Sequence, residues 1–427
     1  MKWNPKAVAI TTAASLTAAA LVAAPALASS EGQGGGQCRT QAEALACLDS
    51  LREYVLAHPD APLPTPTPTA PAPTTSSPAP TTSAPTTSSP APTTSAPTTS
   101  SPTPTTSAPM TSSPTPTTPA PTSTTVPAKP YASGLPWSSG AFTDHKASVA
   151  NDFAAMRGRA LDNISVFPSR ESWSEMQNSW FLDSKRIPND FQGDIVVGVP
   201  LWPENGSLGS NDDAQWKKFA QTVAAKDSDA IVRLGWEMNL PGWYFHITKS
   251  NQDQWAAKFN KSVEAMHSVA PNLRIAYNPN WGPDQTSGDS RQVFQKVKHN
   301  VDYYGIDMYD EWPPDTSDSA WQQRLNGAGG LQDSLNYAKA NGKKFALPEW
   351  GVACNGSGCQ WQGHAGGDNP RYVNNTLGFL IQNKAHVAFD SWFNEDGSYI
   401  KSNLVPTTTN PKAAAAYKAK LTEAANS

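Results

Sequence analysis

The sequence predicts an α/β protein whose main part is a (β/α)8 barrel, a TIM barrel, preceded by a disordered linker rich in Pro, Thr and Ser. Three observations carry this. After position 130, apolar runs of strand length alternate with amphipathic segments of helical period, the mark of a parallel sheet covered by helices. Eight such runs fall within about 300 residues, which suits closure into one barrel. Polar and aromatic residues gather where the runs end, and a barrel brings all its strand ends to one rim. An open doubly wound sheet is the alternative, but no Gly-rich phosphate turn follows the first strand.

The segments before the barrel read in order. Residues 1–28 form a secretory signal: Lys2 and Lys6, an apolar stretch from Ala7 to Val22, then Ala26-Leu27-Ala28 as the cleavage site. No other stretch approaches about 18 consecutive apolar residues, so no integral membrane segment is expected after cleavage. Residues 29–62 are a short cysteine-bearing piece. Leu45, Leu48, Leu51, Val55 and Leu56 recur there at helical spacing. Cys38 and Cys47 can pair only if Cys38 lies in a turn ahead of that helix. Residues 63–130 repeat a Ser/Pro/Ala/Thr unit beginning at Ser76 and Ser88. With almost no apolar or charged side chains, they cannot build a core, and proline at this density extends the chain toward roughly 200 Å.

Residues 131–427 are the globular part. Strand-like runs lie near Tyr131–Leu135, Ala160–Phe167, Asp194–Val199, Ala230–Leu234, Leu273–Tyr277, Val301–Met308, Lys344–Leu347 and His386–Trp392. Helical patterns cover Asp144–Met156, Asp212–Ala225, Asn251–Val269, Ser290–Lys298, Trp321–Asn341 and Arg371–Gln382. Cys354 and Cys359 flank Asn355-Gly356-Ser357-Gly358, which in an exported protein reads as a local disulfide. A zinc site is the competing reading, but no second C-x-x-C pair or histidine cluster completes it, so no metal and no cofactor is expected.

Two strands end in carboxylates. Ala230-Ile231-Val232 leads to Arg233, Trp236, Glu237 and Asn239, and Lys344 to Leu347 leads to Glu349. A carboxylate at the end of a buried strand must be paired, useful, or both. Glu237 and Glu349 facing one cleft can hydrolyse a glycosidic bond, one attacking the anomeric carbon and the other donating a proton to the leaving oxygen. The acid needs a raised pKa, which Trp236 and a neighbouring carboxylate would supply. The nucleophile needs donors, and Arg233 and Tyr309 are candidates. The alternative for each glutamate is a buried ion-pair partner. Tryptophan is abundant, 15 in the chain, and an indole face offers flat apolar area to a sugar ring. Trp173, Trp202, Trp236, Trp243, Trp281, Trp312, Trp350 and Trp392 all lie at strand ends, with core packing as the alternative for each. Asp307 and Glu311 read equally as binding residues or salt-bridge partners.

This pattern resembles clan A of the glycoside hydrolases, and within it glycoside hydrolase family 26, which includes β-mannanases. The resembling part runs from about Ala160 to Asn394. The family's strand-four motif is approximately R-x-x-H-E-M-N-G-x-W. Arg233, Glu237, Met238 and Asn239 fit it, Trp243 fits one residue late, and Pro348-Glu349-Trp350-Gly351 follows strand seven. The resemblance implies Glu237 as acid/base and Glu349 as nucleophile. It also implies substrate-site roles for Asn280 and Trp281, a hydrogen bond from Tyr309 to the nucleophile, and Trp392 as the floor of the adjoining subsite. Trp236 stands where the family has histidine, and Leu240-Pro241 stands where glycine follows the asparagine. Both positions shape the sugar subsite.

The expectation is therefore a secreted, extracellular retaining β-glycanase of mannanase type, acting on polysaccharide as a monomer. The site set is Glu237 and Glu349 with Arg233, Trp236, Asn239, Trp243, Asn280, Trp281, Tyr309, Trp312, Trp350 and Trp392. Alternatives are a non-catalytic glycan-binding surface module, or a hydrolase of a furanosyl or cell-envelope glycan. A net charge of -4 with no basic run argues against nucleic acid. No G-x-S-x-G elbow, H-E-x-x-H pair or phosphate loop is present.

Overall fold

Eight parallel strands close on themselves in chain order, β1 to β8, with β8 hydrogen-bonded back to β1. They are β1 Ser138–Phe142, β2 Asn163–Val166, β3 Asp194–Val199, β4 Ile231–Leu234, β5 Arg274–Tyr277, β6 Tyr303–Tyr309, β7 Lys344–Gly351 and β8 Val387–Phe393. This computed structural model describes residues 131–406 and 409–427. The expected signal, the Cys38–Cys47 segment and the linker lie outside the described residues.

The helices are α1 Ala147–Arg157, α2 Trp173–Met176, α3 Asp213–Ala224, α4 Gln252–His267, α5 Ser290–Val297, α6 Asp318–Asn326, α7 Leu331–Ala340, α8 Pro370–Gln382 and α9 Pro411–Ala425. Their buried faces come from the expected periodicity: α3 buries Trp216, Phe219, Ala220 and Val223, and α4 buries Trp255, Phe259, Val263 and Met266. With the outward faces of the strands they make the large hydrophobic layer between barrel and helices.

The first strand is a correction. Tyr131–Leu135 is not a strand; β1 is Ser138–Phe142, a run of small residues. The tight wall explains the composition, because a Cβ on Gly140 would sit 1.9 Å from the Asn163 carbonyl oxygen. The earlier segment is a tie, with the Ser133 N–H and hydroxyl donating to Asp162 at 2.8 and 2.5 Å. The expected helix over Trp321–Asn341 is two helices, α6 and α7. Gly327 to Gly330 separates them, and Gly329 has φ +67° with no room for a Cβ against the Gly282 carbonyl. Helix α9 was not anticipated, although Pro411 at its start and the alanines behind it are good helix signals.

Inside the barrel the chemistry changes with height. Val196, Ile231, Ala276, Ala346, Ala388 and Phe389 form an apolar plug. One layer toward the strand C-terminal ends, the inward positions become polar: Ser165 and Ser391 share a hydrogen bond at 2.7 Å, and Arg233, Asn278 and Asp307 follow around the wall. The glutamates stand on that polar layer.

Candidate active site

Arg233 is the hub. It points inward from β4, is fully buried, and donates to both Asp307 on β6 and Glu349 on β7, the latter at 3.1 Å. A buried guanidinium is tolerated only when paired, and two carboxylates supply the pairing. Asn278 completes the cluster, accepting from the guanidinium Nε at 3.4 Å and donating to Asp307 at 2.7 Å. The register sets this geometry: a bulge in β6–β7 pairing brings Asp307 opposite Glu349.

Glu349 has two donors. The Arg233 guanidinium holds Oε2, and the Tyr309 hydroxyl donates to Oε1 at 2.6 Å. Burial and the carboxylate beside it push the Tyr309 hydroxyl far above its ordinary value, so the phenol stays a donor.

Glu237 is held differently. It follows β4 with φ +51°, a conformation few residues adopt, and its N–H donates to the Asn278 carbonyl at 2.8 Å. Its carboxyl receives only neutral donors, Asn280 Nδ2 at 2.8 Å and the Trp243 indole N–H at 3.0 Å. Burial first, and the charge of Glu349 second, push it up to about 7; the Asn280 and Trp243 hydrogen bonds and Arg233 oppose that rise. The two glutamates thus have different surroundings, one held by a cation and a phenol, the other by an amide and an indole.

Asn239 does not reach the cleft surface. It is buried, and its amide clamps the main chain of Asn280, accepting from its N–H at 2.8 Å and donating to its carbonyl at 2.9 Å. It aims Asn280 at Glu237 rather than touching a ligand. Trp236 is likewise interior, packed on Phe167, Trp243 and Phe245 at 5.1–5.7 Å between ring centres. Trp243 and Trp281 are half-buried at the cleft wall; Trp243 stacks on Phe245 and has the Arg170 guanidinium over its ring, 5.1 Å from the centre. Trp312 is 53% exposed.

Trp350 and Trp392 are corrections. Both are fully buried, their rings 4.8 Å apart between centres and packed against Tyr417 of α9. Trp350 donates to Asp390 at 2.8 Å and Trp392 to the Ser402 carbonyl at 3.1 Å. The period of two along a strand explains this: with Glu349 facing inward, Trp350 must face the helices. Phe393, one residue beyond Trp392, takes the inward place instead, stacked on Phe142 at 4.6 Å and edge-on to Tyr309 at 5.9 Å. Phe142, Phe167 and Phe393 form an aromatic lining that was missed, although the same alternation places Phe393, one step past outward-facing Trp392, on the inward side.

No protein-family model matches the chain, and no curated protein matches it. Among solved structures it is similar to a modular endo-β-1,4-mannanase from Cellulomonas fimi, at 16% identity and a TM-score of 0.46, over 63% of this chain and 65% of that one, just under two thirds of its length. It is also similar to GH26C from Muricauda sp. MAR_2010_75, at 15% identity and a TM-score of 0.49, over 68% and 86% of the two chains. A third is one of two fungal β-1,4-galactanases, at 12% identity and 0.44, over 66% and 99%. At these identities and scores the likenesses add nothing beyond what the closed strand order already shows of the fold.

The Cys354–Cys359 disulfide is present, with Cα atoms 5.6 Å apart. It closes the loop after β7, on the rim that holds the two glutamates. Among the described residues no helix is long and apolar enough to cross a membrane.

Proposed function

We propose that the barrel is a retaining O-glycosyl hydrolase that cuts β-linked polysaccharide internally, of mannanase type, with Glu349 as nucleophile and Glu237 as acid and base. The observation that carries this is the contrast between their environments. Arg233 and Tyr309 both donate to Glu349, while burial and the Glu349 charge push Glu237 up to about 7.

Glu349 attacks the anomeric carbon as Glu237 gives its proton to the leaving oxygen, and a glycosyl ester forms on Glu349. Esterification removes the negative charge that helps raise Glu237, so its pKa falls at the moment it must act as a base. Glu237 then takes a proton from water, which attacks the same carbon and frees Glu349. Asn280 and Trp243 orient Glu237 throughout, and Asn239 fixes Asn280. Retention calls for carboxyl groups about 5–5.5 Å apart. We further propose that residues 1–28 direct export, that residues 63–130 are a tether, and that residues 131–427 act outside the cell as a monomer. The closed disulfide is consistent with an oxidising compartment.

The test is hydrolysis of soluble mannans, xylans and mixed-linkage glucans by the wild-type chain and by Glu349→Gln and Glu237→Gln. Release by wild type alone supports the assignment and names the substrate class. Equal release by the variants rules out this pair. Retention on a glycan with no release from any would favour a binding module.

A further inference from the structure

The loop after β6 carries two side chains that the proposed chemistry does not use. Glu311 has one carboxyl oxygen, Oε2, buried without a hydrogen-bond partner among the described residues. No cation pairs with it there either, so the salt-bridge reading of this residue fails. A carboxyl with an oxygen left unpaired has hydrogen-bonding capacity that the described residues do not use. The next residue, Trp312, is the most exposed of the large hydrophobic side chains described, at 53%.

This loop is built to hold still. Arg324 of α6 is fully buried and donates to three of its carbonyls: Tyr309 at 2.7 Å, Glu311 at 3.1 Å and Pro313 at 2.7 Å. The same guanidinium lies 4.4 Å over Trp281, whose neighbour Asn280 contacts Glu237. Trp312 is backed from the other side. Its N–H donates to the His364 carbonyl at 3.1 Å, and its ring lies on the His364 imidazole, 3.6 Å between centres and 14° from parallel. Glu311 itself bridges to Ala365 on that segment. An exposed indole fixed flat, with an unpaired carboxyl oxygen on the residue before it, offers the two things a sugar ring uses: an apolar face to stack on and a group that reads a hydroxyl.

We propose that Trp312 and Glu311 form a sugar-binding subsite, Trp312 as the platform for an uncharged pyranose ring and Glu311 as the hydrogen-bond partner of one of its hydroxyls. The choice of polysaccharide as ligand rests on the function proposed above. Burial pushes the Glu311 carboxyl up to about 8, against the opposing effect of Arg324, so at neutral pH it keeps its proton and both donates and accepts. A hydroxyl fits such a group better than an ammonium, which sets neutral sugars ahead of amino sugars. Arg324 and His364 act as positioning residues.

The test measures calorimetric binding of oligosaccharides from the same glycan panel to the full chain carrying Glu349→Gln. In that background Trp312→Ala and Glu311→Ala are each expected to weaken binding about tenfold. Trp312→Phe and Glu311→Gln, which keep a ring and a hydrogen-bonding group, should recover most of it. In the otherwise wild-type chain the same alanine changes should raise KM on polymer by a similar factor and leave kcat within about twofold. Binding by the alanine variants equal to that of the parent overturns the subsite while leaving the hydrolase reading intact. Loss of binding in those variants, with no hydrolysis by wild type, keeps the subsite and sinks the hydrolase. No binding of any glycan by the parent overturns the subsite, and hydrolysis by the wild type then decides the hydrolase separately.

Discussion

Asn280→Ala tests the electrostatics of the site most directly. The asparagine Nδ2 is one of two neutral donors on the Glu237 carboxyl, at 2.8 Å, and it stabilises the ionised form. A hydrogen bond to a charged group is worth about 1.5–3 kcal/mol, and about 1.4 kcal/mol corresponds to one pH unit. Asn280 is half-buried, so water replaces part of what is lost. The net expectation is a rise of about one pH unit. In the proposed mechanism Glu237 is protonated when the leaving group departs, so activity should fall as pH rises through its pKa. The alkaline limb of kcat/KM, expected near 7 in the wild type, should therefore move up by about one pH unit. Glu349→Gln should do the reverse. Its charge is the second cause of the Glu237 rise, so its removal lowers the Glu237 titration, measured by carbon-13 NMR of the carboxyl in that inactive variant. An unmoved alkaline limb in Asn280→Ala, or shifts of the same sign in both variants, would refute the assignment of Glu237 as the acid.

Further outcomes are expected from the scaffold. Trp350→Phe removes an indole donor from buried Asp390 and leaves a void, so chemical denaturation should show a loss of about 2–4 kcal/mol with kcat of the folded protein unchanged. Gly140→Ala places a Cβ against the Asn163 carbonyl and should cost more than about 3 kcal/mol, seen as loss of soluble folded protein on expression. Tyr309→Phe removes a donor from Glu349 and should lower kcat by about 10–100-fold in steady-state assays, with little change in melting temperature. Glu237, Glu311 and Glu395 are raised to about 7, 8 and 7 from the ordinary 4.5, burial being the first cause in each. The folded protein then holds protons that the unfolded chain has released, so stability present below about pH 4.5 is lost as pH rises toward 8. Calorimetric melting temperature should decline across that window, and less steeply in Glu237→Gln.

Strand and helix identity were legible from local pattern alone, since burial on one face leaves a periodic trace in the chain. β3, β4 and β5 lie where their apolar runs put them, and α3, α4 and α5 agree with the expected segments within a few residues. The first strand left no such trace because a crowded barrel wall selects small residues there, and Ser138-Ser139-Gly140 carries no apolar signal. The two glutamates, the arginine four residues before one of them and the tyrosine were visible as the wrong chemistry for a core. Arg233 and Tyr309 were named as candidate donors to the nucleophile, but the contacts that join them to it were not visible. That Arg233 and Tyr309 both reach Glu349 depends on bonds across 116 and 40 residues, and on a bulge in the register between β6 and β7. Tryptophan misled for a related reason. At strand ends the indoles look alike in sequence, but whether a ring faces the cleft or the helices depends on register parity, which put Trp350 and Trp392 in the core and Phe393 in the cleft. The sequence by itself determined which residues are available for chemistry, because composition and spacing are properties of the chain. Only the tertiary structure decided which of them meet, because closing the barrel converts positions far apart in the chain into neighbours around one rim.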